Sequence, residues 1–406
     1  ANKEVSVKIG SKKPASNSNA HLVIPATVAF NGVNETFKVT AIEDNAFMTC
    51  YNFVGDLEIP ATVKKIGTSA FLQAYSNTTI GKLTLHEGLE TIMNSAFTLS
   101  HFNNDVLEIP STVTFIGSHA FNATNMNGTL VINGNVNSEG GFHGFAGSLF
   151  TKVVIKEGVT ELTDTSNKGV FGKMAGLEEV VIPSSLTKLG AGAFSEVITI
   201  RLITSNAVTA PTLGTDAFTT EVKENAVMLV HTDYHNYIIN GQNWGGIKNI
   251  YGVKEIIKEG YSLLVKVNDN VCSVEIGDKP HQNDRIELEL PRTIEYYETE
   301  RDVTSIAKGG FKSCMFFGTL TIPGNIKTIA DNAFNTCNKF DKLVIEEGVV
   351  ELGNKAFYFA SSLQSITLPS TLTKVGENCF GIIYSPAEQQ PHGYLTHVIS
   401  FATEPA

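Results

Sequence analysis

The chain is poor in charge. Only 17% of its 406 residues are Asp, Glu, Lys or Arg, and the balance is acidic, with a formal net charge of −11 at pH 7. Phosphate backbones and anionic lipids need a basic surface, so neither nucleic acid nor an acidic membrane is an expected partner. Long apolar runs are missing as well. No stretch reaches 18 consecutive apolar residues, so no transmembrane segment is expected. The opening ANKEVSV lacks the hydrophobic region of a signal peptide. Tryptophan is represented by Trp244 alone.

Chemical signatures are scarce too. Ser, Asp and His occur without a nucleophile elbow or another catalytic setting, so the chain does not read as an enzyme. The stretch Gly140-Gly141-Phe142-His143-Gly144-Phe145 lacks the preceding strand and the G-K-[ST] ending of a phosphate loop. It reads as a tight coil with an inserted residue. His231 and His235 are placed at a strand end and on a following helix with no third ligand near in sequence, so a metal there is the weaker reading. No cofactor and no metal site are expected. The five cysteines lack the paired C-x₂₋₄-C spacing that zinc favours.

What the chain has in abundance is a repeat. Leu107 opens LEIPSTVTFIGSHAF, Leu57 opens LEIPATVKKIGTSAF, Leu83 opens LTLHEGLETIMNSAF and Leu320 opens LTIPGNIKTIADNAF. Val344 opens VIEEGVVELGNKAF, and Leu368 sits in ITLPSTLTKVGENCF. From Leu57 through Leu83 and Leu107 to Leu130 the steps are 26, 24 and 23 residues, the period of a leucine-rich solenoid. Leu107 and Ile109 alternate with Glu108 as a short strand with one buried face. Pro110, without an N–H, ends the ladder. Val113 and Ile116 return to the same core, Gly117 permits a sharp turn, and Ala120 and Phe121 follow at the spacing of a helical turn. One coil buries too little to offset the entropy of ordering its backbone, so stacking is what makes it fold.

The pattern L-x-I-P-x-x-V-x-x-I-G-x-x-A-F resembles the BspA-type leucine-rich repeats of bacterial cell-surface proteins, over most of the chain. It departs from the commoner leucine-rich pattern with its buried Asn ladder after the strand, and no such ladder is carried over. The resemblance implies a leucine-rich-repeat solenoid, an α/β-type repeat of mostly short parallel strands with loops and short helical turns. It also implies an extracellular or cell-surface protein whose signal or anchor lies outside this chain. Such a protein would recognise host-matrix or cell-surface proteins. A carbohydrate-binding or polysaccharide-associated role is the alternative, disfavoured by the lack of aromatic platforms at exposed strand positions.

The repeats fall into two tandem arrays. Val5 to Gly10 resembles Cys272 to Gly277, and each is followed by a strand, a long insertion, then Val-Thr-x-Ile and the turn aromatic. The second copy has an extra strand, Tyr261 to Val267, joined through Asn268-Asp269-Asn270 as a hairpin. Its counterpart in the first copy would lie before Ala1, which predicts a chain beginning within a longer protein. Between the copies, Ile198 to Tyr251 breaks the repeat and resembles a terminal unit with Trp244 covering the last coil. The expected domains are therefore 1–252, an array with a C-terminal cap, and 253–406, a shorter array opening with the hairpin. The second stops at Thr396–Ala406, which resembles Ile200–Pro211, with nothing after it that could be a cap.

Position sorts the thiols. Cys50, Cys314 and Cys337 each lie three residues after the repeat Phe, where other coils carry Ala74, Ser100, Thr124 and Ala360. That is a small internal site, and Cys379, replacing the Ala of Ala-Phe, is internal too. Cys314 and Cys337 are equivalent in adjacent coils, so a disulfide between them stays open at this point, although coil stacking at ~4.8 Å does not alone meet its dihedral demands.

One outward residue per coil should form a column: Glu58, Thr84, Glu108, Val131, Val154 and Val181. This is the candidate partner-binding face. Val is favoured in strands wherever it sits; alternatively, the three valines, rimmed by Lys152 and Glu179, form an apolar interaction stripe.

Overall fold

The computed structural model describes residues 3–10, 20–76, 81–137, 143–162, 169–281, 284–381 and 396–401. The chain divides into two compact units, Ala1–Ile250 and Tyr251–Ala406. Each is a coil of short parallel strands.

In the first unit, Val106–Ile109, Asn127–Ile132, Leu149–Ile155, Glu179–Ile182, Leu202–Ser205 and Val227–Val230 are six neighbouring parallel strands of a longer sheet, in register except for a shift between Gly128 and Thr129. Leu57–Ile59 and Leu83–Leu85 form a separate pair beside it. A second line of two-residue strands runs along another edge of the coil, through Lys65–Ile66, Thr91–Ile92 and Phe115–Ile116, then through Glu161–Leu162, Lys188–Leu189 and Thr212–Leu213. The second unit repeats the plan with Gly318–Ile322, Phe340–Ile345, Ser365–Leu368 and His397–Ser400. It opens not on a two-stranded hairpin but on an antiparallel meander, because residues 252–258 pair with Tyr261–Val267, which pairs in turn with Cys272–Ile276. The insertion in each opening coil is itself a hairpin, Thr27–Ala29 with Thr36–Ile42 and Thr293–Tyr296 with Thr299–Asp302.

The core is a file of stacked rings. Phe47, Phe71, Phe97 and Phe121 stack at centroid distances of 5.2, 5.1 and 5.2 Å. The file continues through Phe145, Phe171, Phe194 and Phe218. A second file joins Phe311, Phe334, Phe357 and Phe380. All are buried except Phe380, which is half-buried.

The segment carrying these rings is not helical. Among the described residues the one α-helix is Thr220–Asn225. Around Phe71 the N–H groups alternate. Ala70, Leu72 and Ala74 close turns within their own coil, onto Gly67, Ser69 and Phe71. Ser69, Phe71 and Gln73 donate instead to Asn94, Ala96 and Thr98 of the next coil. To point those N–H groups along the stack, Ser69 and Gln73 take φ of 53° and 57°. A non-glycine residue there costs about 1–2 kcal/mol. Inter-coil hydrogen bonds offset that cost at roughly 0.5–1.5 kcal/mol each, which a helix bonding only within itself could not do.

The repeat glycine also has a different reason from the expected one. Gly117 is not in the left-handed region. A Cβ there would lie 2.4 Å from Asn94 Oδ1 and 2.5 Å from Asn94 N in the preceding coil. Asn94 Oδ1 accepts the N–H of Ser118 at 2.8 Å. The same rung recurs from Asp44 to Thr68, from Asp331 to Asn354 and from Asn354 to Glu377. The backbone of this corner, together with the amide or carboxylate where it is Asn94, Asp44 or Asp331, fills the space of the Cβ and demands Gly in the coil stacked on it; Gly376 on Asn354 and Gly214 on Ala191 meet backbone alone. Where the corner residue is Thr68, the next coil carries Met93.

A second staple joins coils ending in Glu-Gly to coils beginning Pro-Ser-[ST]. Glu157 accepts the N–H of Ser184 at 2.9 Å and its hydroxyl at 2.8 Å. In return, Ser185 Oγ accepts the N–H of Gly158 and donates to Val159 O. Glu87 with Ser111 and Thr112, and Glu347 with Ser370 and Thr371, repeat the arrangement.

Candidate functional site

The outward column is continuous only in part. Glu58 faces Thr84 in the two-stranded pair. Glu108, Val131, Val154 and Val181 lie in register across the six parallel strands, which extend the column to Thr204 and Leu229. Between the two groups a side chain replaces the backbone rung. Asn104, buried, accepts from Leu83 N and donates to Leu83 O, both at 2.9 Å. Asn104 precedes the strand Val106–Ile109, so it is not the Asn ladder that follows the strand in the commoner leucine-rich pattern, and it separates the first two column positions from the rest.

Exposure along the column is graded. Glu58, Thr84 and Glu108 are exposed, Val154 and Val181 are half-buried, and Val131 is buried. Parallel neighbours ~4.8 Å apart shield each other's flanks, so mid-sheet valines expose little more than their tips. The adjacent outward column reads Val106, Thr129, Lys152, Glu179, Leu202 and Val227. In it Lys152 and Glu179 pair at 2.8 Å, each about one-third exposed. They are therefore a closed pair within the face rather than two free rim charges. At the polar end, His86 Nε2 lies 2.8 Å from Glu58 Oε1.

The remaining candidates resolve locally. His231 follows the strand Val227–Val230, and His235 sits in the 3₁₀ turn Tyr234–Tyr237 with Nδ1 2.8 Å from Asp233 Oδ1. Among the described residues no group of three His, Cys, Asp or Glu side chains is arranged to hold a metal ion. Gly140, Gly141 and Phe142 lie outside the described residues, as do 402–406. In the described remainder of the glycine-rich stretch, Phe145 takes its place in the ring file. The five cysteines are buried thiols. Cys337 Sγ donates to Phe311 O at 2.8 Å, as Ser100 Oγ does to Phe71 O. That carbonyl explains why the small site three residues after Phe accepts a hydroxyl or thiol.

Trp244 closes the first unit. Its ring meets Phe218 at 5.6 Å and Tyr237 at 5.8 Å, edge to face, and it is buried. Its indole Nε1 donates to Pro211 O at 2.7 Å. Beside it, Thr219 caps the helix Thr220–Asn225 by accepting from Val222 N.

Among the described residues no helix is long and apolar enough to cross a membrane. No curated protein matches the sequence. Among solved structures, a leucine-rich cell-surface protein from Faecalibacterium prausnitzii A2-165 is 17% identical, with 95% of this chain and 89% of that one covered and a TM-score of 0.31. A leucine-rich repeat protein from Bacteroides ovatus ATCC 8483 is 15% identical, covering 88% and 91%, with a TM-score of 0.26. The pneumococcal vaccine antigen PcpA is 13% identical, covering 99% and 84%, with a TM-score of 0.32. The family model for the BspA-type leucine-rich repeat region matches in six copies across residues 29–140, 138–238 and 292–385. With its ring files, inter-coil staples and most of its length in that repeat, the chain belongs to the BspA-type leucine-rich repeat family.

Proposed function

We propose that the chain is a cell-surface recognition module that binds host-matrix or cell-surface proteins through the outward face of the six parallel strands in its first unit. The supporting observation is the register of those strands. It sets Val154, Val181, Thr204 and Leu229 in one file beside Leu202 and Val227. The one ion pair within this surface, Lys152 with Glu179, is already satisfied. Such a face loses little by desolvation when a protein covers it, because few charges need new partners. No outward position in the two columns is aromatic. This favours a protein over a glycan, whose rings bind best against aromatic faces. The two units are read as two tandem arrays, with this face assigned to the first.

Binding to immobilised fibronectin and fibrinogen, with a glycan array in parallel, tests the reading. Replacing Val154 and Val181 by Thr keeps strand propensity and removes the apolar file. A protein ligand should bind this variant at least about tenfold more weakly, the equivalent of ~1.4 kcal/mol. Unchanged affinity would move the site to the hairpins after Ala29 and Ile294. Binding confined to glycans would replace protein by carbohydrate.

A further inference from the structure

The last coil of the first unit leaves one strand edge open. Thr212 donates to Thr187 O at 2.9 Å and Gly214 to Leu189 O at 2.8 Å, both toward the preceding coil. Strand alternation therefore turns Pro211 and Leu213 the other way. Pro211 has no N–H, and its carbonyl is taken by Trp244. Among the described residues Thr212–Leu213 pairs only with Lys188–Leu189, and that ladder uses the backbone of Thr212 and Gly214, so the N–H and C=O of Leu213 point to the open edge. They face a cleft of about 800 Å³. Its far wall is the antiparallel turn Ile238–Ile239 with Gln242–Asn243, and Lys223 and Asp216 also line it.

The walls define what fits. Ile239 is 50% exposed, an apolar contact beside the open edge. Gly246, at φ 75°, keeps the wall low, and a Cβ there would lie in ordinary contact with the Lys223 side-chain stem, at 3.5 Å. Lys223 makes no ion pair among the described residues, while its helix neighbour Glu224 is occupied by Lys248. Trp244 lies in the wall but is only 2% exposed, so it presents no open ring face on which a sugar could stack.

We infer that this cleft binds an extended peptide segment, one residue of which pairs its backbone with Leu213 while an acidic side chain reaches Lys223. A peptide residue offers a C=O and an N–H on one side with strand spacing, which matches both open groups of Leu213 at once. The unpaired ammonium selects a carboxylate, and Asp216 on the same cleft disfavours a run of them. The site is separate from the outward face of the six parallel strands.

Trp244 is the only tryptophan in the chain and reports on the cleft directly. The probes are the blocked peptide acetyl-Thr-Val-Glu-Val-Thr-amide, its Gln-for-Glu counterpart, and a form N-methylated on the backbone of its second and fourth residues. Indole fluorescence and calorimetry on the whole chain should register the first peptide at up to about 1 mM, the range of a single weak contact site. Gln for Glu should weaken it by about two- to fivefold, the value of an exposed ion pair. Lys223→Gln should give the same loss and make the two peptides equal. The N-methylated form should not bind, and the Val154/Val181→Thr variant should titrate as the parent does. No response to the first peptide, equal binding of the N-methylated form, or retained Glu preference in Lys223→Gln would each overturn the inference. So would indole quenching by oligosaccharides in place of peptides.

Discussion

Trp244 Nε1 donates to Pro211 O at 2.7 Å in the place where a further coil would offer a backbone N–H. One side chain thus both ends the ring file against Phe218 and terminates the hydrogen-bond ladder. Trp244→Phe keeps much of the ring and removes the N–H, leaving a buried carbonyl unpaired at a cost of about 1–3 kcal/mol. Trp244→Ala loses the ring as well and should cost about 3–5 kcal/mol. Denaturant unfolding followed by circular dichroism should rank the parent above Phe and Phe above Ala. Equal stability of parent and Phe variant would show that the hydrogen bond contributes nothing.

The ring files predict a contrast between middle and end. Phe121 is covered on both sides, by Phe97 at 5.2 Å and Phe145 at 4.8 Å. Phe380 stacks on Phe357 at 5.5 Å and is half-buried. Phe121→Ala should cost about 3–5 kcal/mol. Phe380→Ala should cost clearly less, because less apolar area returns to water. An unchanged melt for Phe121→Ala would overturn the alignment of the coils.

Much of this was legible because the period repeats the same inward positions. Phe121 and its equivalents announce themselves through Ala-Phe. Phe145 and Phe171 do not, since Gly144 and Val170 stand where Ala should be. Thr204 and Leu229 stand outside the pattern for a related reason: their strands are not followed by the x-x-x-[Val/Leu] tail that follows Leu85, Ile132 and Ile155. The repeat glycine was visible, but its cause was not. A sharp turn and a close approach give the same letter, and only the position of Asn94 against Gly117 separates them. The cleft at Leu213 was out of reach, because its far wall comes from residues almost thirty positions later.

Acid should loosen the stack in two stages. His143 is buried, with Nδ1 3.4 Å from Gly169 O, Nε2 3.7 Å from Glu196, and Lys173 and His119 acting on it. Burial is the main cause that holds its pKa below the usual 6.5. A depressed folded pKa means stability is full above the unfolded value and is lost as pH falls from about 6.5 toward the folded one. Hydrogen bonds from Ser111, Ser184 and Ser370 likewise hold the carboxyls of Glu87, Glu157 and Glu347 below the ordinary 4.5. Their contribution is full above that value and lost as pH falls through the folded pKa values. The urea midpoint should therefore begin to fall near pH 6.5 and fall further below 4.5. His143→Gln should remove the first stage and Gln at the three glutamates the second. A midpoint that stays flat down to pH 4 would contradict the His143 assignment.

The thiols give a direct measure of how closed the coils are. Cys314, Cys337 and Cys379 lie inside the stack, where burial pushes their pKa values up to about 11, 12 and 12. Cys50 is buried as well, and Cys272, in the opening hairpin of the second unit, is raised to about 11. Reaction with a disulfide reagent needs both access and thiolate, and these sites withhold both near neutral pH. Native titration should therefore be slow at all five positions and complete only in denaturant. Reducing agent should leave the native melt unchanged, since Cys314 and Cys337 are free thiols and not a bridge. The order of slow labelling is informative in its own right. Cys337 is held in the middle of its file by the hydrogen bond to Phe311 O, whereas Cys379 belongs to the coil whose ring, Phe380, is only half-buried. Opening of the end coil costs less than opening of the middle, so Cys379 should label before Cys337. The reverse order would mean that the second unit opens from its hairpin end.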